Sequence, residues 1–401
     1  MSPVLQLLIV LVIVLVAAKA SGLLAVQLGQ PSVLGELLAG VILGPSVIDL
    51  FDLRFVTDTH LEETVLMLGE LGVIFLMFLA GLETDLAEVN KVRRVALYAG
   101  ALGVVFPIAL GSAAGLPFGF SAKEAVFVGI ILSATSVSIS ARTLMELGVL
   151  QGRQGISILA AAVIDDVLVI LVLSFFVAFA VDDGGGGTAD VFLIVGRVLL
   201  FFAVAVAAGL FVLPALARWS STAPMSEGVA TTAIVVVLLG AWFAEYVGDV
   251  ALITGAFLAG VFFRRTDAHR LIDEKLHTIS YAFFVPVFFV AVGLSADASG
   301  FEGGDVLLLT VVVVIAIVSK VIGSGLGAYL AGEKMTSSLQ IGTGMVSRGE
   351  VGLIVASVGL GQGLIDTDIY SVMVLMVLAT SLITPIALRV VFAREREAQH
   401  A

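Results

Sequence analysis

The sequence predicts an all-α polytopic membrane protein with about 13 transmembrane helices. We expect two inverted repeats of six helices joined by a linker helix, with two discontinuous helices crossing at the membrane midplane. The prediction rests on composition, on the spacing of apolar segments and on a similarity between the two halves. Of 401 residues, 60% are hydrophobic and 13% are charged, whereas soluble domains have about 25% charged residues. Mean hydropathy is +1.16, so most of the chain is expected to lie in a bilayer.

Composition also excludes several classes of function. The chain has no cysteine and four scattered histidines, so disulfides, thiolate metal sites and zinc motifs are not expected. No glycine-rich phosphate-binding loop is present. We therefore expect neither an enzyme nor a cofactor, no nucleic-acid partner and no ATP-driven transport. The net charge of −12 is unusual for a membrane protein, and it suggests either a halophilic source or simply acidic loops.

Apolar segments separated by polar or Gly/Pro breaks predict thirteen spans. They lie at 3–20, 31–49, 63–83, 93–115, 123–146, 155–181, 190–217, 227–247, 250–264, 279–296, 304–330, 336–361 and 369–393.

The basic residues predict the orientation of these spans. With the N-terminus outside, the inner loops carry fifteen of the twenty Lys and Arg residues, and the outer loops carry only Arg54 and Lys123. Positive residues are retained on the cytoplasmic side. The sequence therefore predicts a multi-pass protein of a prokaryotic plasma membrane, in contact with lipid, with the N-terminus outside and the C-terminus in the cytoplasm.

Two segment pairs suggest an internal repeat. Residues 35–43 resemble 255–263, and residues 76–85 resemble 288–297. The copies are seven spans apart, an odd number, so they face opposite ways, as in many secondary transporters. We expect a first repeat at 1–181, a linker span within 182–226 and a second repeat at 227–401. Chance similarity between Gly- and Leu-rich segments is the alternative.

Adjacent aspartates, Asp165 and Asp166, interrupt the sixth span. An unpaired carboxylate at that depth costs several kcal/mol, and packing gives no reason for two of them. Lys320 in the eleventh span lies at a similar depth, roughly 15 Å from the inner end by helical rise. The default interpretation of such groups is an ion or proton site in a transporter.

Polar stretches also interrupt the fifth and twelfth spans, at 133–140 and 342–350. Their glycines and clustered hydroxyl residues weaken a helix, so we expect both spans to unwind at mid-membrane and to cross there. Unwinding frees carbonyl groups that can coordinate a cation. Arg348 and Glu350 are expected to form, or contribute to, a buried ion pair that supports the crossing, with coupling to transport as the alternative role.

Five features together resemble the monovalent cation:proton antiporter-2 family, in particular its sodium/proton exchangers of the NapA type. They are Gly-Leu-Glu-Thr at 81–84, Ala-Thr-Ser-Val at 134–137, Ala-Ala-Val-Ile-Asp-Asp-Val at 161–167, Lys320, and Ser-Arg-Gly-Glu-Val at 347–351. The resemblance covers nearly the whole chain. It implies a homodimer in which a core of spans 4–6 and 11–13 carries the ion past a dimerisation domain of spans 1–3 and 8–10.

The resemblance also implies residue roles. Asp166 would be the main sodium ligand, Asp165 its partner and the salt-bridge mate of Lys320, and Thr135 and Ser136 would complete a hard-oxygen shell. Such a site fits an electrogenic sodium (or lithium)/proton antiporter with alternating access, in which protons and cation compete. A potassium/proton antiporter is the main alternative. A cation channel and a sodium-coupled organic-acid symporter are further ones.

Overall fold

The computed structural model describes residues 1–84, 86–180, 188–222, 226–295 and 306–393, with side chains described in these ranges except at 86, 174, 177–180, 188–191, 350 and 357. All regular structure in these ranges is helical. In chain order the α-helices are α1 Pro3–Gln27, α2 Ser32–Leu43, α3 Leu61–Glu83, α4 Leu86–Gly115, α5 Ala122–Ser133, α6 Val137–Glu146, α7 Arg153–Ala180, α8 Thr188–Ala207, α9 Leu213–Thr222, α10 Gly228–Tyr246, α11 Leu252–Phe263, α12 His269–Ile279, α13 Val285–Leu294, α14 Val306–Leu330, α15 Met335–Gly344, α16 Glu350–Gly361 and α17 Thr367–Val391. Single π-helical turns join α8 to α9 and α12 to α13.

The helices have the length and composition of membrane spans. Within the described residues, ten helical stretches are long and apolar enough to cross a bilayer, and three shorter apolar helices accompany them at Ser32–Leu43, Leu252–Phe263 and Val351–Gly361. The predicted class, an all-helical membrane protein, is confirmed.

Some predicted boundaries were wrong for identifiable reasons. The second span ends at Leu43 rather than near residue 49, because Gly44 is extended (ψ 176°) and the following proline disfavours a helical residue before it. The tenth span begins at His269 rather than near residue 279. The first turns of that helix are polar, so the pattern of apolar residues does not predict them.

Both predicted interruptions are present. After α5 ends at Ser133 the chain is non-helical at 134–136, with Ala134 and Ser136 extended, before α6 begins. After α15 ends at Gly344 the chain is non-helical until α16 begins.

Two groups of helices pack mainly among themselves. In one group, α4 packs against α5, α7 and α14, while α17 packs against α6, α14, α15 and α16. In the other, α2 and α3 pack against α13, α11 packs against α3 and α10, and α1 packs against α2. The two groups meet where α6 contacts α2 and α3 and where α17 contacts α2.

Close glycine contacts hold the second group together. A Cβ atom added to Gly260 of α11 would lie 2.1 Å from the carbonyl oxygen of Phe78 on α3. One added to Gly40 of α2 would lie 2.2 Å from the carbonyl oxygen of Val290 on α13. In the aligned segments, Gly40 corresponds to Gly260 and Phe78 to Val290. Aligned residues of the two halves therefore make equivalent contacts.

Candidate functional site

The aspartate pair lies in the interior of the first helix group, on α7. Asp165 is fully buried and Asp166 is 3% exposed. Lys320 of α14 donates a hydrogen bond from Nζ to Oδ1 of Asp165 at 2.6 Å, and neither side chain has any exposed surface. Asp166 is close enough to Lys320 for their charges to interact. Burial removes the screening of water, so this ion pair is strongly coupled to any charge that enters beside it.

Helix α4 passes directly over the ion pair. A Cβ atom added to Gly103 would lie 3.3 Å from Asp165 Oδ1, 3.6 Å from Lys320 Nζ and 2.4 Å from Ser324 Oγ. Only glycine fits at this position without a shift of its neighbours. Gly103 was not identified from the sequence, because nothing local distinguishes it among 43 glycines.

The two interruptions are hydrogen-bonded to each other by backbone and serine hydroxyl groups. Ser136 donates its N–H to the carbonyl oxygen of Ser347 at 2.8 Å, and the Ser347 hydroxyl donates to the carbonyl oxygen of Ser136 at 2.5 Å. The Ser140 hydroxyl donates to the carbonyl oxygen of Gly344 at 2.6 Å. Groups released by breaking two helices are thus satisfied across the contact, as an interior without water requires.

Thr135 and Ser136, the other residues predicted for the cation shell, are buried in the first interruption. Thr135 lies beside the Asp165 carboxylate. The hydroxyl of Ser136 lies 2.9 Å from that of Ser138. The structure therefore brings Thr135, Asp165, Asp166 and Lys320 together where α5 is broken.

Arg348 lies in the second interruption and is fully buried. Its guanidinium donates to the carbonyl oxygen of Leu132 at 2.7 and 3.2 Å, to that of Ala316 at 2.8 Å, and to that of Val346. Leu132 is in the last turn of α5, where unpaired carbonyls carry partial negative charge. Arg348 therefore caps the broken end of α5. The side chain of Glu350, its predicted ion-pair partner, lies outside the described part of the chain.

Helix α17 holds the same interruption from the other side. The Ser381 hydroxyl donates to the carbonyl oxygen of Arg348 at 2.5 Å, and the N–H of Arg348 donates to Thr380 Oγ1 at 3.3 Å. Neither residue was identified from the sequence, because hydroxyl residues within an apolar helix usually bond to their own helix.

A cleft of about 250 Å³ lies between the two helix groups near the start of α16. Val351 and Ile354 line one wall, Phe288 lines the other, and Glu70 and Glu245 also border the cleft. Glu70 and Glu245 are the acidic residues of an otherwise mostly apolar lining.

Residues of α6 bridge the helix groups at another place. The guanidinium carbon of Arg142 lies 4.2 Å from the centre of the Tyr281 ring, and Arg142 pairs with Glu146 at 2.8 Å. Glu146 in turn accepts the backbone N–H of Ser32 at 2.7 Å. These contacts join α6 to α2 and to the π-helical turn before α13.

With this geometry established, comparison with known proteins assigns the family. The family described as "Sodium/hydrogen exchanger, transmembrane" matches residues 8–394. The chain belongs to this family. It is 39% identical over 389 residues to the Na(+)/H(+)-K(+) antiporter GerN of Bacillus cereus, covering 97% of each chain. It is 34% identical over 380 residues to the Na(+)/H(+) antiporter of Enterococcus hirae, covering 95% of this chain and 96% of the relative.

A solved structure supports the fold of this exchanger-family protein. The sodium proton antiporter MjNhaP1 of Methanocaldococcus jannaschii superposes with a TM-score of 0.68 at 15% identity, covering 98% of each chain. At that identity the likeness concerns the fold alone. The resemblance to monovalent cation:proton antiporters inferred from sequence motifs is confirmed, and the protein is a multi-pass membrane protein of an antiporter family.

Proposed function

We propose that the protein is a secondary active sodium (or lithium)/proton antiporter that moves net charge. Asp166 is its main cation ligand, and Asp165, Thr135 and Ser136 complete the site. The observation that carries the proposal is the buried contact of Asp165 with Lys320, next to Asp166 and to a break in α5. Carboxylate, hydroxyl and carbonyl oxygens are hard ligands, which suit a small alkali cation better than a large organic substrate.

Competition at one site explains the exchange. Two buried carboxylates cannot both stay charged without a cation or protons between them, and they titrate with Lys320 as a coupled set. When the site opens to sodium, the cation displaces one proton from Asp166, the Asp165–Lys320 pair opens, and Lys320 releases the second proton. A neutralised site crosses the barrier between the two sides, and a bare one does not. Two titrating groups exchange for one cation, so each cycle moves charge.

Several observations support the wider architecture of the proposal. The equivalent glycine contacts of α2 with α13 and of α11 with α3 are those expected from inverted repeats in a protein of thirteen spans. The packing of α4–α7 with α14–α17 fits a moving core. The group of α1–α3 with α10–α13 then forms the fixed dimerisation domain of a homodimer. The distribution of basic residues favours an outer N-terminus and a cytoplasmic C-terminus in a prokaryotic plasma membrane.

Transport in everted membrane vesicles tests the proposal. Addition of sodium or lithium should dissipate a preformed proton gradient, and higher proton concentration should raise the sodium concentration that gives half-maximal exchange. Asp166→Asn should abolish the response. Asp249→Asn is the matched control, because Asp249 pairs with Arg197 on the surface and the change should leave transport intact. Sodium-dependent exchange retained in Asp166→Asn would refute the assigned site.

Charge movement tests the part assigned to Lys320. In proteoliposomes, Lys320→Gln should reduce the charge moved per sodium ion, because one titrating group is lost. Unchanged charge per ion would show that the lysine does not take part in coupling.

Potassium is the second candidate cargo. The relative with 39% identity is named for potassium as well as sodium. Two assays decide the role of potassium. Adding potassium in place of sodium shows whether potassium is exchanged for protons. Placing potassium on the opposite side of the membrane from sodium shows whether potassium is exchanged for sodium.

A further inference from the structure

Ser324 stands out among the buried hydroxyl groups near the site. It is fully buried, and its Oγ makes no hydrogen bond among the described residues. A serine inside a helix usually donates to a carbonyl three or four residues back, as Ser319 does to Ala316 on the same helix. The hydroxyl of Ser324 has thus been removed from water without receiving a partner.

The position of Ser324 relates it to the ion pair. It follows Lys320 by four residues on α14, so both side chains lie on one face of the helix. The point where a Gly103 Cβ would be is 2.4 Å from Ser324 Oγ, 3.3 Å from Asp165 Oδ1 and 3.6 Å from Lys320 Nζ. The missing side chain at Gly103 is what admits the hydroxyl. The second oxygen of Asp165, Oδ2, also has no hydrogen bond among the described residues.

We propose that Ser324 is the second hydrogen-bond partner of Lys320. It accepts an N–H of Lys320 when sodium binding opens the Asp165–Lys320 pair, first from the ammonium group and then, once Lys320 has released its proton, from the amine. This inference rests on the proposed function, in which that pair opens. An ammonium without a partner in this interior is costly, and a serine oxygen with both lone pairs unused can accept it. The flexible lysine stem can swing from one acceptor to the other by rotation about its own bonds.

The charged groups around Lys320 fit this movement. Asp165 and Asp166 attract it from α7, and Arg348 repels it from the interruption after α15. Once a sodium ion occupies the aspartates, their attraction for the ammonium is reduced. A neutral acceptor on the lysine's own helix is then the partner that does not compete with the cation. Ser324 is therefore a positioning residue that favours the sodium-bound state.

Sodium-dependent thermal stabilisation of the purified full-length protein provides the test, because a ligand stabilises a protein according to its concentration and dissociation constant. Ser324→Ala should weaken sodium binding about tenfold or more, the equivalent of one hydrogen bond to a charged group. Ser324→Cys, which keeps the volume but accepts poorly, should do the same. Ser319→Ala is the matched control and should bind sodium like the parent.

A double-mutant cycle separates positioning from packing. In a Lys320→Gln background, Ser324→Ala should change sodium binding less than twofold, because no ammonium needs an acceptor. Equal weakening in both backgrounds, or parent-like sodium binding by Ser324→Ala, would overturn the proposal. A failure of the proposed function is distinguishable from these outcomes. In that case the parent protein would show no stabilisation by sodium, or Asp166→Asn would still be stabilised by sodium.

Discussion

Replacing Gly260 by alanine tests the close helix contact in the α1–α3 and α10–α13 group. The added Cβ would lie 2.1 Å from the carbonyl oxygen of Phe78. Ordinary contact lies at roughly 3.5 Å or beyond, about 1.4 Å farther away, and a backbone carbonyl cannot rotate away as a flexible side chain can. Helices α11 and α3 must therefore separate, which loses packing on both sides of the contact. Gly40→Ala places a Cβ 2.2 Å from the carbonyl oxygen of Val290 and should behave alike.

The magnitude follows from two opposing effects. Overpacking a close contact costs about 1–3 kcal/mol, and contact with a backbone atom belongs at the upper end. Alanine is favoured over glycine within a helix by about 1 kcal/mol, which offsets part of the cost. We expect Gly260→Ala and Gly40→Ala each to lower the free energy of unfolding by about 2 kcal/mol. Gly196→Ala on α8 meets nothing within 4 Å, so only the favourable effect remains and stability should rise.

Thermal unfolding of the purified protein in detergent measures the three variants together. The midpoint should fall by a few degrees for Gly260→Ala and Gly40→Ala and should not fall for Gly196→Ala. Equal stability of Gly260→Ala and Gly196→Ala would refute the cost assigned to the close contact. A large loss in one of the two equivalent glycine variants with none in the other would contradict their equivalence.

Two further predictions concern contacts at and between the helix groups. Ser347→Ala removes the hydroxyl that bonds the carbonyl oxygen of Ser136, a loss of about 1–3 kcal/mol for a buried acceptor; the unfolding midpoint should fall, whereas Ser371→Ala, whose hydroxyl bonds only its own helix, should be nearly neutral. Tyr281→Leu removes the ring beneath Arg142 and weakens the bridge between helix groups by about 0.5–2 kcal/mol. The chain has no cysteine, and Thr143 of α6 is fully buried. A reporter introduced as Thr143→Cys should therefore react severalfold faster with a water-soluble thiol reagent when Tyr281→Leu is also present. An equal rate with and without Tyr281→Leu would refute the bridging role.

The sequence predicted the parts of this protein that depend on local composition. The lengths of the apolar segments predicted the membrane spans, and the serine- and glycine-rich stretches predicted both interruptions. The end of α2 was missed although Gly44 and Pro45 provide a signal for it. The polar beginning of the helix at His269 could not be found from hydropathy, because it is stabilised as the continuation of an apolar helix.

The site was predictable as a set of residue types but not as a set of contacts. Asp165, Asp166 and Lys320 are conspicuous because charge is rare in such segments. Gly103 and Ser324 gain their meaning only from the approach of α4 to α14. The carbonyl partners of Arg348 likewise come from segments far apart in the chain, so a side-chain pairing rule could not identify them.

The anchorage of Arg348 has a consequence for how the transporter can move. One guanidinium ties the end of α5 to α14, and the same residue's backbone is fastened to α17. Separating any of these segments from the others would leave several polar groups without hydrogen-bond partners in an apolar interior. We therefore expect the cation to move together with the whole group of α4–α7 and α14–α17. The least costly displacement is a slide of this group along its contact with the group of α1–α3 and α10–α13.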